Sequence, residues 1–113
     1  EPYVYAQTVA ARASYHEGAA RNSWLTGTAA WTFVNISQYI LGIKPSLDGL
    51  LLDPCLPECM TEYTVTRRYR GAVYQIHVTG TGAYSLTVDG EAMDGRIIPI
   101  TEGKTDYHVE VTV

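Results

Sequence analysis

SWLTGTAAWTFVNISQYILGI, residues 23–43, decides how the rest of this chain is read. On a helix advancing about 100° per residue, Trp24, Leu25, Trp31, Phe33, Val34, Ile36, Tyr39, Ile40 and Leu41 spread almost all the way round the axis. A helix that is apolar on every side must be buried on every side. A chain of 113 residues with one other helix cannot easily supply that cover. The stretch therefore predicts a helix that belongs to a larger helical assembly. Gly42 offers a C-terminal cap, and Pro45 stops any continuation.

Working outward, EPYVYAQTVAARA (1–13) places Pro2 where a first helical turn tolerates it, and Val4, Tyr5, Val9 and Ala13 recur at helical spacing. SYHEGAARN (14–22), with Gly18 and several polar residues, reads as a loop. Past Pro45 the pattern changes to period two. LDGLLLDP (47–54) is a short apolar run between turn signals. YTVTRRYRG (63–71) and AVYQIHVTG (72–80) alternate and are separated by Gly71. AYSLTV (83–88) alternates again, Asp89-Gly90 is a hairpin signal, and RIIPI (96–100) and YHVEVTV (107–113) complete the set. The reading is α+β: helices over 1–45, then an antiparallel β-sandwich over 46–113, built from about six short strands at 8–12-residue spacing.

Composition sets outer limits. A 46% hydrophobic and 18% charged chain is globular, not disordered. A formal net charge of −4 argues against nucleic acid as a partner. Arg67, Arg68 and Arg70 read as an edge-strand guard. No apolar run approaches the roughly 18 residues of a membrane span, and no leader is visible. The chain opens on Glu-Pro and not Met, which reads as a processed product or an excised piece. Cys55 and Cys59 lack the second pair a zinc site needs, so no metal is expected. They read as structural thiols of a reducing, cytoplasmic compartment.

Thr26-Gly27-Thr28 stands where the buried helix begins. The first turn of a helix exposes unsatisfied N–H groups, and glycine lets an anion approach them. A threonine N-cap beside a close-packing glycine explains the same residues equally well. Trp24 and Trp31 are core residues or sugar-stacking platforms on the same footing. His16, in the loop before this turn, is either within reach of an anion or substrate there, or an ordinary surface histidine. His77 and His108 read as exposed-face strand residues. No carboxylate pair stands out as acid and base, because most Asp residues, Asp48, Asp53, Asp89 and Asp94 among them, sit in turns.

EPYVYAQ, NSWLTGTAAW, ILGIKPSLDGLLLDPCLP and VTRRYRGAVYQI together resemble the C-terminal end of the cellobiose and chitobiose phosphorylases, family 94 of the glycoside hydrolases and formerly glycosyltransferase family 36. The blocks span about residues 1–78. The resemblance implies the last helices of an (α/α)6 barrel followed by a C-terminal β-sandwich. It further implies an enzyme that cleaves a β-linked disaccharide or oligosaccharide with inorganic phosphate, giving an α-sugar 1-phosphate with inversion. Phosphate is then a co-substrate and no cofactor is implied. Thr26 and Gly27 match the family's phosphate-binding Thr-Gly, and Thr28 and His16 are weaker candidates for the phosphate or substrate side. The catalytic aspartate, the sugar-binding arginine and the phosphate-binding histidine have no match here, so no catalytic residue is expected in this chain and the 113 residues alone are expected to be inactive. Expected partners are the rest of the barrel and a second copy in a homodimer. The alternative is a non-catalytic module: a sandwich that binds glycan through Tyr69, Tyr74 and Tyr84, which more often pack between sheets, or one that serves structure and dimerisation.

Overall fold

Alternation of apolar and polar residues governs the second half of the chain in a computed structural model, which describes residues 4–23, 25, 27–80 and 82–113. Two compact units result, Glu1–Ile36 and Ser37–Val113. In the second, β3 (Ile43–Pro45), β4 (Gly49–Leu52) and β9 (Ile97–Pro99) form a sheet in the order β3-β4-β9. A larger sheet has the order β5-β6-β10-β7-β8, from β5 (Glu62–Tyr69), β6 (Ala72–Thr79), β7 (Ser85–Val88), β8 (Glu91–Met93) and β10 (Asp106–Thr112).

Side chains alternate across a strand, so every second residue reaches the core. Tyr74, Ile76 and Val78 of β6, and Tyr107, Val109 and Val111 of β10, are buried in this way. Leu50 and Leu52 of β4 and Ile98 of β9 complete the packing from the smaller sheet. Tyr74 and Tyr107 lie face to face at 4.4 Å. The opposite face of the large sheet is polar, with Gln75, His77, His108 and Glu110 exposed.

The expected sandwich is therefore present, with two differences. The β6–β10 pair is parallel, Asp106 to Thr112 running beside Val73 to Thr79. The last strand enters between β6 and β7 after leaving the other sheet, so no hairpin dictates its direction. The remaining pairs are antiparallel. Strands β3 and β8 were not anticipated, since three residues are too few to show a period.

Two hairpins follow their turn residues. Arg70 and Gly71 (φ 46° and 82°) join β5 to β6, and Asp89 and Gly90 (φ 51° and 87°) join β7 to β8. Both central residues at positive φ mark the turn whose twist suits a two-residue hairpin. Strand β5 is an edge, and Arg68 is exposed along it while Arg67 is half-buried on its inner face. Arg68 alone thus fits the expected edge guard; Arg67 Nε is buried without a hydrogen-bond partner, and Arg70 lies in the turn after β5. Tyr69 and Tyr84 are half-buried and Tyr74 is 1% exposed, so they pack and do not form a glycan platform.

The first unit departs further from expectation. Residues 1–13 hold no described helix: Thr8–Val9 (β1) pairs with Ala20–Arg21 (β2). Ala13 at φ 75° is incompatible with a right-handed helix there, and four apolar positions were too few to carry the period. The helical stretch is shorter than expected. Helix α1 runs Thr28–Val34 and passes into a π-helical segment, Asn35–Ile40. Among the described residues no (α/α)6 barrel is present; the only helical segments are α1 and the π-helical run behind it. Among the described residues no helix is long and apolar enough to cross a membrane.

Gly42 ends the helical run at φ 65°, and strand β3 begins at the next residue, Ile43. A Cβ at Gly42 would be driven into the Asp53 carbonyl, whose own N–H donates to Gly42 O at 2.8 Å. Gly42→Ala is expected to cost at least about 2 kcal/mol, because strained φ and backbone overlap act together. An unchanged denaturant midpoint would contradict this.

Tyrosine hydroxyls set the alkaline limit. Burial pushes Tyr63 up to about 12, and burial, reinforced by Tyr107, pushes Tyr74 up to about 12. A folded value above the unfolded one means that stability is full below about pH 10 and is lost as pH rises towards 12, because the unfolded chain ionises first. Urea midpoints should fall across that window, and Tyr63→Phe should flatten the fall. A flat wild-type profile between pH 9 and 12 would contradict it.

Candidate functional site

The first unit carries the residues singled out at the helix start. Strands β1 and β2 are closed by backbone bonds from Gln7 N to Arg21 O (3.1 Å) and from Ala10 N to Ala19 O (3.0 Å). The connection between them is a nest of tight turns: Ser14 N–H donates to Ala11 O, Glu17 N–H to Ser14 O, and Gly18 N–H to Ala10 O. His16 sits here, exposed. Its N–H donates to Ser14 Oγ at 3.3 Å, and its ring meets the Tyr15 ring edge-on at 4.8 Å. The loop expected over 14–22 thus exists only in part, since β2 occupies Ala20–Arg21.

Gly27 is the N-cap of α1 and Thr28 its first residue. No side chain caps this end, so the threonine-cap reading does not apply to Thr28; Thr26 lies outside the described residues. The first intrahelical bond runs from Trp31 N–H to Gly27 O at 2.9 Å, which leaves the N–H groups of Thr28, Ala29 and Ala30 outside the helical ladder. Glycine at the cap keeps the backbone open there, since a Cβ would instead meet Trp31 Cδ1 at 3.2 Å and Nε1 at 3.3 Å. Asn22 (φ 57°) leads into this segment, and its Nδ2 donates to Gln7 Oε1 at 3.1 Å. That amide pair escaped the sequence reading.

Trp31 is 67% exposed, Phe33 64%, Ile36 46% and Tyr39 62%. Much of the apolar surface of this helical run is therefore exposed to solvent, while Val34 and Leu41 are half-buried. A groove of about 540 Å³ runs along α1, lined by Val4, Tyr5, Ala29 and Phe33. Cys55 and Cys59 are free and exposed on the loop between β4 and β5, so they are not packed structural thiols. No group of three or more His, Cys, Asp or Glu is placed to hold a metal ion among the described residues.

Residues 1–42 match the family described as the Glycosyl hydrolase 94 superfamily, catalytic domain. N,N'-diacetylchitobiose phosphorylase from Vibrio proteolyticus is 38% identical over 98% of this chain and 14% of its own length. Solabiose phosphorylase from Paenibacillus borealis is 34% identical over 98% of this chain and 15% of its own. The 3-O-beta-D-glucopyranosyl-beta-D-glucuronide phosphorylase of Paenibacillus borealis is 42% identical over 76% of this chain and 12% of its own. The chain thus spans about a seventh of the length of such relatives.

At the helix start, Gly27→Ala should push the Trp31 indole aside by a few tenths of an ångström. Because Trp31 is exposed it can yield, and stability should stay within about 1 kcal/mol of wild type. The expected readout is an altered Trp31 emission spectrum in a Trp24→Phe background. An unchanged spectrum would show that the two groups do not touch.

Proposed function

We propose, from the premise that this chain belongs to the glycosyl hydrolase 94 superfamily, that it forms part of an inverting glycoside phosphorylase. The carrying observation is the match of residues 1–42 to that superfamily's catalytic domain, together with relatives named as phosphorylases of several disaccharides.

In this reaction inorganic phosphate replaces the water of an inverting hydrolase. A single carboxylic acid protonates the leaving oxygen while phosphate attacks the opposite face of the sugar. The resemblance matches no residue of this chain to that acid, so the acid is proposed to come from elsewhere in the catalytic domain. What these residues contribute is the phosphate side: the Thr26 hydroxyl and the Gly27 backbone N–H hold the anion, with Thr28 and His16 as further candidates. Donors fixed in place before reaction stabilise charge as it shifts during attack. The absence of a Cβ at Gly27 supports this reading, since phosphate needs close backbone approach.

The exposed faces of Trp31 and Ile36 support the rest of a helical catalytic barrel as the intramolecular cover for this helix. A homodimer is the proposed assembly. Which β-linked saccharide is cleaved is a property of residues outside this chain.

In the complete protein, Thr26→Val should raise KM for phosphate at least about tenfold and lower kcat by roughly a hundredfold, the cost of one lost transition-state donor. KM for the disaccharide should move less than about threefold. Unaltered phosphate kinetics in Thr26→Val would remove this residue from the phosphate site.

A further inference from the structure

The two lips of the sandwich open into a cleft of about 550 Å³ between the β7–β8 hairpin and the segment joining β9 to β10. That volume lies within the range of small-molecule sites, about 300–1,000 Å³. Its rim is polar, with Asp89, Glu91, Asp94 and Lys104; its floor is apolar, with Met93 and Ile98. Both lips are fixed. Asp89 Oδ1 accepts the His108 N–H at 2.9 Å, and its other oxygen pairs with Lys104 across the opening. The facing segment is pinned by Thr101 N–H, which donates to the buried Tyr107 hydroxyl at 3.2 Å. Lys104 also lies 4.5 Å over the Tyr107 ring. The Lys104 bond holds the Asp89 carboxyl below its usual range and raises Lys104 in turn, as a settled ion pair requires.

The chemistry of the rim narrows the ligand. An anion would face three carboxylates. A calcium-like cation needs six to eight convergent oxygens, yet both Asp89 oxygens are engaged and the Lys104 ammonium stands in the opening. A purely apolar ligand would strand the charged rim without partners. The ligand left is neutral and rich in hydroxyls. Its O–H groups donate to the carboxylates of Glu91 and Asp94, whose side chains make no ion pair among the described residues. Its oxygens accept from Lys104, and its C–H face rests on Met93 and Pro99. We infer that this cleft is a saccharide-binding site of the sandwich, one that needs neither phosphate nor catalysis.

Hydrogen exchange on the complete protein reads the site locally. With cellobiose or N,N'-diacetylchitobiose at up to about 50 mM, enough to fill a site of millimolar Kd, and no phosphate, amides of residues 88–94 and 101–107 should exchange at least about threefold more slowly. The Glu91→Ala/Asp94→Ala variant, altered at two exposed positions, should lose that slowing while its melting temperature holds. No slowing with either sugar, slowing that persists in the variant, or the same slowing with calcium chloride alone would each overturn the inference. Slowing in a protein that forms no sugar 1-phosphate would leave the site standing and remove the phosphorolysis reading. Phosphorolysis without slowing would do the reverse.

Discussion

Three tyrosine hydroxyls lace the two sheets of the sandwich together, and most of the second unit depends on them. Tyr63 OH donates to Leu41 O at 2.7 Å, Tyr69 OH to Ser46 O at 2.6 Å, and Tyr84 OH to Leu52 O at 3.0 Å. The acceptors flank or end β3 and β4, so each strut fixes one end of the small sheet against the large one. A tyrosine can do this because its ring buries apolar area while its hydroxyl satisfies a carbonyl that the ladder leaves free. With three strands against five, the small sheet has little hydrogen bonding of its own, and the struts set its position.

Asp53 closes the same structure from the other side. Its carboxylate accepts from Lys44 at 3.4 Å and from Arg96, whose guanidinium lies 4.5 Å over the Tyr84 ring. Its backbone N–H reaches Gly42, the residue that turns the chain out of the helix. Leu52-Asp53-Pro54, within one of the blocks that carry the family resemblance, is thus a structural junction. It joins the end of the helical run, the edge of the small sheet and the tyrosine strut. These exposed ion pairs contribute little energy individually; their consequence is geometric.

Much of this was legible in the sequence. The alternation of YTVTRRYR and AVYQIHVT set β5 and β6, and Asp89-Gly90 set its hairpin, because period two and paired positive-φ residues are local signals. The packing of the tyrosines followed from the same alternation. What was not legible is long-range. Nothing near residues 106–112 announces a parallel neighbour at 73–79, since that pairing is decided by which gap in the sheet remains open. The helix expected over 1–13 gave way to β1 and β2 because backbone pairing between segments a dozen residues apart outweighed weak helical spacing. At the candidate site, a helix start at Thr26-Gly27-Thr28 and its all-round apolar pattern were readable from NSWLTGTAAW and the residues behind it, but the cap expected from threonine is Gly27. The Gln7–Asn22 pair was not, because side-chain partners across a hairpin depend on a register the sequence does not display.

Inversion with phosphate as nucleophile is the claim on which the functional reading rests. Its most direct test is ³¹P NMR of the complete protein incubated with a β-linked disaccharide and inorganic phosphate. An α-sugar 1-phosphate should accumulate as phosphate is consumed, with no free donor sugar formed when phosphate is left out. A β-anomeric product, or sugar released at the same rate without phosphate, would contradict it.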